Sequence, residues 1–287
     1  MNRQRSDRCP GALRPWVADD GLLVRLRLPG GRIGAEELRS LVDVAERYGD
    51  GLVHLTSRAN LQIRALPAAE DGSTLRADVL AAVEATGLLP SRSHDLARNL
   101  MVSPQTGLAG GVTDLRPTVT ALDAAILDRP ALGTLPGRFL FVLDDGRGDL
   151  LERSCDLGLV AVDAERVQLR VGAGWSEVLH RDEAPDRLAS MAEEFLSARG
   201  GGPTAPWHVE ELAELGLTPQ EWSVKPEPAF PLPPPAPALP YGVVPGGHHV
   251  AAGDGGLDRE AVDRLAQAAS TLIITPWRGV LIPEESS

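Results

Sequence analysis

At 287 residues, with 43% hydrophobic and 24% charged residues, the chain is long enough for two or three domains with real cores, which excludes a wholly disordered protein. A net charge of -12 excludes a general nucleic-acid binder, because counterion release needs clustered basic residues; an anionic ligand would have to meet a local arginine cluster. The basic N-terminus has no apolar run behind it and no segment reaches membrane-span length, so the expectation is a cytoplasmic protein with no membrane partner.

Along the chain, 22–28 reads as the first strand, followed by a turn at Pro29-Gly30-Gly31. Leu38, Leu41, Val42, Ala45 and Tyr48 recur at helical spacing, which predicts an amphipathic helix over 35–48 ending at Gly49. Strands at 51–55 and 60–66 complete an α+β plait, and a helix over roughly 72–86 closes at Gly87. An arginine-rich loop at 91–99 and a Pro/Gly turn at 103–107 open a middle region. That region has a helix at 117–128, strands at 139–143, 157–162 and 167–171, and a helix at 184–198. Gly172-Ala173-Gly174 lacks the full dinucleotide fingerprint and reads as a turn. Thr218-Pro219-Gln220-Glu221 has the form of a capping box with proline at the first helical position and predicts a short helix. Residues 225–240 are half proline, which predicts an extended connector; a proline-rich ligand segment is the competing reading.

Val53–Ile63, VHLTSRANLQI, returns as Leu272–Ile282, LIITPWRGVLI. Thr56 falls on Thr275, and Arg58 falls on Trp277. Each copy follows a helical pattern, and before that a Pro-Gly-Gly sequence, at 29–31 and again at 245–247. Two copies of one subdomain are therefore expected, each with an open sheet face and too small a core to stand alone, so that they pair with each other. The difference between Arg58 and Trp277 predicts a one-sided polar site.

The strand, the Pro-Gly-Gly turn, the helix, LTSRANLQIR and then HDLARNLMVSPQTG together resemble the nitrite/sulfite reductase superfamily. Within it, CPGALRP at 9–15, DGLLVR at 20–25 and LIITPWR at 272–278 are similar to the precorrin-3B synthases of aerobic cobalamin biosynthesis. The resemblance implies an α+β chain of two ferredoxin-like half-domains, at 10–68 and 241–287, pairing pseudo-symmetrically. It also implies an intervening sirohaem-reductase-type α/β domain at 69–224 and a linker at 225–240. It further implies an oxidoreductase with sirohaem or haem and a [4Fe-4S] cluster, which uses O₂ and an electron donor to hydroxylate and lactonise a precorrin. The cluster cysteines of the family lie in a further domain, expected after Ser287. Cys9 and Cys155 are too few to hold a cluster alone, so a separate cluster-bearing chain is an expected partner.

By the same resemblance the catalytic candidates are Arg58, Arg98 and Arg138, and the cofactor-binding candidates are Thr56, Arg58, Arg98 and Asn99. The chemistry is consistent, since guanidinium pairs bidentately with the carboxylates that sirohaem and precorrins carry. Arg138 stands for the first lysine of the family's LPRKFK-like motif, and Leu140 replaces the second, which argues against reduction of sulfite or nitrite. Arg64 and Arg92 read as ordinary surface charges. Cys9 matches a family position, with no role to assign. No metal site is expected: adjacent His248 and His249 point to opposite faces of a strand, while His54 and His94 read as structural; Cys155 has no histidine partner identifiable in sequence and is not expected to be a catalytic thiol. The alternatives are a non-catalytic tetrapyrrole-binding or assembly module and a fragment of a nitrite or sulfite reductase.

Overall fold

Leu22, Val24 and Leu26 are buried while the residues between them are half-exposed, a period of two that makes a strand with one covered face. The structure is a computed structural model and describes residues 9–202, 204–253 and 255–284. Its first part runs β1 (Trp16–Ala18), β2 (Gly21–Leu26), β3 (Arg32–Gly34), α1 (Ala35–Tyr48), β4 (His54–Leu55), β5 (Leu61–Leu66) and α2 (Ala77–Ala85). An antiparallel sheet of order β1-β2-β5-β4 results. Helix α1 has the expected span. The Glu37 carboxylate accepts the Gly34 N–H at 2.9 Å, and the chain leaves the helix at Gly49, where a Cβ would lie 2.5 Å from the Arg64 carbonyl. The covered sheet face receives Leu38, Leu41, Val42 and Ala45 of α1.

The middle segment contains β6 (Leu100–Val102), α3 (Arg116–Leu127), β7 (Phe141–Asp144), β8 (Leu157–Ala161), β9 (Arg166–Val171), β10 (Gly174–His180), α4 (Ala184–Arg199) and α5 (Val209–Leu215). Its mixed sheet has the order β10-β9-β8-β7-β6, with β6, β7 and β8 parallel and the rest antiparallel. Strands β7 and β8 are buried throughout, as parallel strands covered on both faces are. Phe139, Phe141 and Phe195 meet at ring-centroid separations of 5.2 and 4.9 Å in its core. Gly172, at φ 56°, turns β9 into β10, in keeping with the turn expected there. No α-helix starts at Thr218. Gln220–Trp222 is a single 3-10 turn ended by Ser223 at φ 47°, because Trp222 is drawn fully into the core.

The last part is β11 (Gly242–Val244), β12 (Gly247–Ala251), α6 (Arg259–Ala268), β13 (Thr271–Ile274) and β14 (Gly279–Pro283). The order β11-β12-β14-β13 repeats β1-β2-β5-β4, and β3 of the first half is added beyond β13. The exchange is reciprocal. Leu272 pairs with Ile33, and Val53, its counterpart in the repeat, pairs with Leu257 through backbone hydrogen bonds of 2.9 Å in both directions. One core includes Leu38, Leu41 and Ile63 of the first half together with Val262, Leu265 and Val280 of the second. Arg259 on α6 reaches Asp43 and Glu46 on α1. The two half-domains thus form the paired α+β unit that the repeat predicted.

Two expectations shift. The Pro-Gly-Gly sequences are not equivalent. Pro245-Gly246 is the hairpin turn between β11 and β12, matched in the first half by the turn before Gly21, whereas Pro29–Gly31 follows β2. Gly31 serves close approach instead, since a Cβ there would lie 2.3 Å from the carbonyl oxygen of Ile274 in the other half. The chain divides into a unit of residues 9–95 with 238 onward and a unit of 96–237, so 69–95 goes with the half-domains. The reason is that α2 places Val79 and Val83 in the same core as α1. The proline-rich segment has no helix or strand, yet it is seated on the middle unit as far as Pro237. Lys225 exchanges two backbone hydrogen bonds with Trp175, and the Ala236 N–H donates to the Gly148 carbonyl. Among the described residues no helix is long and apolar enough to cross a membrane.

Candidate functional site

The repeated threonines build the same turn twice. In the first half the Thr56 hydroxyl oxygen accepts the N–H groups of Arg58 (3.3 Å) and Asn60 (3.0 Å), and the Ala59 N–H closes on the Thr56 carbonyl at 3.1 Å. In the second, Thr275 Oγ1 accepts the Gly279 N–H at 3.2 Å, and the Arg278 N–H closes on the Thr275 carbonyl at 3.1 Å. Both turns pass through a left-handed residue, Ala59 at φ 56° and Arg278 at φ 58°. Such a three-residue hairpin loop ordinarily gives that place to glycine.

The face of the first half-domain's sheet away from its apolar core is polar by the same period of two. Arg25 on β2 stands opposite Gln62 on β5, and His54 on β4 stands opposite Gln62 from the other side. Arg25 donates from Nε (3.0 Å) and Nη2 (2.7 Å) to the Gln62 side-chain oxygen, and from Nη1 to Cys9 Sγ at 3.4 Å. His54 Nε2 lies 2.7 Å from an Asp50 oxygen, and Arg64 pairs with Asp20 at 2.8 Å, a bond that holds the Asp20 carboxyl below its usual pKa.

Of these residues Arg25, His54, Gln62 and Arg64 form one side of a cavity of about 490 Å³, within the range of ligand-binding pockets. The two turns face it through Thr56, Ser57, Trp277 and Arg278, and Tyr241, Gly253 and Gly256 complete it. Three guanidinium groups line it, and no described lining residue is acidic. In a chain of net charge -12 that is a locally cationic pocket. Beneath the second turn, His249 Nδ1 donates to the Leu239 and Pro240 carbonyls, both at 3.1 Å, which leaves Nε2 to accept from Thr275 Oγ1 at 3.0 Å. Burial holds the pKa of His249 down, in keeping with a neutral ring. His249 is buried and His248 exposed, the opposed orientation expected from their adjacency. Among the described residues no group of three or more His, Cys, Asp or Glu could hold a metal ion.

Of the residues singled out from sequence, Thr56 lines this cavity. Arg58, half-buried in the same turn, is not one of its lining residues. The lining guanidinium of the turns comes from Arg278, one residue past the position equivalent to Arg58, so the expected one-sided supply of cations does not hold. Arg64, read as a surface charge, is a lining residue. Arg25 and Arg27 carry a signal that could have been followed, since both lie opposite Val24, Leu26 and Leu28 in the alternation. Arg27 is almost fully buried, donates to the Asp95 carbonyl at 2.7 Å and the Pro10 carbonyl at 3.2 Å, and keeps a buried Nε with no partner among the described residues.

The other candidates belong to the middle unit. Arg98 makes a bidentate pair with Asp123 on α3, Nε to Oδ1 at 2.7 Å and Nη2 to Oδ2 at 2.8 Å. The Asn99 side-chain amide donates to the carbonyls of Gly137 (2.9 Å) and Phe139 (3.2 Å) and so fixes the segment that carries Arg138. The Arg138 guanidinium lies over the Trp207 ring, 5.3 Å from its centroid. Leu140 is buried with Met101, Val142, Leu150 and Cys155, so that position points into a core.

Residues 18–70 match the nitrite/sulfite reductase ferredoxin-like half domain. This match, the curated relatives and a solved structure of similar fold together support kinship with the nitrite/sulfite reductase superfamily. One relative is a precorrin-3B synthase from a Sinorhizobium species, 29% identical over 217 residues, which are 75% of this chain and 43% of the relative. Another is a ferredoxin–nitrite reductase from Synechococcus elongatus, 33% identical over 138 residues, 46% of this chain and 26% of the relative. The Mycobacterium tuberculosis NirA protein has a similar fold, with a TM-score of 0.65 at 18% identity over 96% of this chain and 59% of that one. The chain spans less than half the length of the curated relatives it matches.

Proposed function

We propose that this chain supplies the tetrapyrrole-binding half-domain pair of a precorrin-3B synthase-like oxidoreductase. The observation that carries the reading is the cationic cavity between the Thr56 and Thr275 turns, lined by Arg25, Arg64 and Arg278. A precorrin or sirohaem carries many carboxylates around a flat apolar ring. Guanidinium groups stay charged at every working pH and pair with such carboxylates bidentately, and Trp277 and Tyr241 supply apolar surface for the ring. The likeness to the Sinorhizobium precorrin-3B synthase supports a precorrin as the ligand, and the reaction that the family resemblance implies is its hydroxylation and lactonisation with O₂ as co-substrate.

The cofactors of the superfamily fit unequally. The carboxylates of a sirohaem suit the cavity, where Arg25, Arg64 and Arg278 would hold them, and the group when bound supplies redox chemistry at its iron. A [4Fe-4S] cluster does not fit the residues of this chain. The chain has two cysteines, and burial pushes the thiol pKa of Cys155 up to about 11, far from the thiolate that a cluster needs. Cluster chemistry would come from another polypeptide segment or chain, together with the electron donor.

Leu140, an apolar side chain in a core where the resemblance would have a second cation, weighs against a nitrite or sulfite reductase. A non-catalytic tetrapyrrole-binding module shares the same pocket and differs only in turnover. The test is a titration of the purified chain with uroporphyrin, followed in the Soret band. Saturable binding that weakens steeply with added salt supports the proposal, and no binding at low ionic strength rules it out.

A further inference from the structure

The two equivalent turns differ at their left-handed position, and the difference is chemically specific. Ala59 in the first half is buried, whereas Arg278 in the second is exposed and lines the cavity. A long side chain at φ 58° is an uncommon choice, because the Cβ of any L-residue crowds the following carbonyl there and glycine would avoid the cost. Strained positions of this kind persist where the surroundings over-determine them, and they gather at ligand clamps. Here the surroundings are fixed by hydrogen bonds. Thr275 holds the turn from within, and the Tyr241 hydroxyl donates to the Trp277 carbonyl at 2.7 Å. The Ala252 N–H donates to the Arg278 carbonyl at 3.3 Å.

The other two guanidinium groups of the lining would share a ligand carboxylate with partners they already have, Arg64 with the carboxylate of Asp20 and Arg25 with Gln62 and Cys9. Among the described residues the Arg278 guanidinium has no carboxylate partner. We propose that Arg278 is a ligand-anchoring residue, which takes a peripheral carboxylate of the tetrapyrrole at the second-half side of the cavity. The second half thereby contributes its own cation, displaced by one residue from the place where the first half carries Arg58. The assignment rests on the reading of the cavity as an anionic tetrapyrrole site.

Soret titrations with uroporphyrin test it, using wild type, Arg278→Ala, Arg278→Lys and Arg278→Gly, each also melted thermally without ligand. Loss of one charge-assisted carboxylate pair is expected to weaken binding about tenfold or more in Arg278→Ala, with Arg278→Lys in between. Arg278→Gly is expected to bind as weakly as Arg278→Ala while its Tm does not fall, because glycine accepts the left-handed conformation freely. Wild-type binding that Arg278→Ala and Arg278→Gly match within twofold overturns this assignment and leaves the cavity reading standing. A wild type that does not bind overturns both.

Discussion

Replacing Thr56 and Thr275 by valine, which has nearly the same shape and no hydroxyl, asks whether one buried oxygen organises each turn. Thr56 is 9% exposed, and its Oγ1 serves two N–H groups, of which that of Asn60 is buried. A buried donor left unpaired costs about 1–3 kcal/mol, so Thr56→Val is expected to lose about 2 kcal/mol. Thr275 is fully buried, and its hydroxyl serves both the Gly279 N–H and the imidazole of His249. Thr275→Val therefore orphans two buried groups and is expected to lose about 3 kcal/mol. Urea unfolding followed by circular dichroism measures both, with the slope unchanged if only stability moves. Losses below about 0.5 kcal/mol for both variants would refute the claim that these hydroxyls hold the turns, and a costlier Thr56→Val would refute the ordering.

The shared core predicts that Leu265→Ala, on α6 of the second half, destabilises the whole paired unit by about 2–5 kcal/mol. Amide exchange in β5 of the first half should speed up along with that in β14, and an unaffected β5 would mean that the halves unfold separately. In the middle unit, burial first of all, with Asp144 and Asp145 nearby, raises the Asp149 pKa from 3.8 to about 7, opposed by a hydrogen bond from Ser103 and by Arg147. The folded state then binds a proton that the unfolded state releases, so stability from this group is full below pH 3.8 and falls as pH rises towards about 7. Asp149→Asn should flatten that fall and be the more stable protein at pH 8, by up to about 4 kcal/mol; a pH profile identical to wild type would contradict it.

Much of the fold was legible because its signals are local. The α1 stripe of Leu38, Leu41, Val42 and Ala45 gives its span directly, and the Thr56/Thr275 repeat gives the paired halves. The Pro-Gly-Gly match misled because identical turn residues serve a hairpin in one place and a close backbone approach in the other. The 3-10 turn at Gln220–Trp222 departs from its capping pattern because burial of one tryptophan outweighs local propensity. The pocket was half legible. The alternation that buries Val24 and Ile63 sets Arg25, Gln62 and Arg64 on one face, yet only the register of β2, β5 and β4 brings Arg25, Gln62 and His54 side by side. The left-handed backbone of Arg278 leaves no mark in sequence, because most residues in that conformation are glycine.

Hydrogen–deuterium exchange with and without saturating uroporphyrin tests the central claim most directly, because it maps where the ligand sits without changing a residue. The account predicts slowed exchange in peptides spanning 54–64 and 275–279, the strand and turns that line the cavity. Protection absent from both peptides, or confined to the middle unit at 96–140, would contradict it.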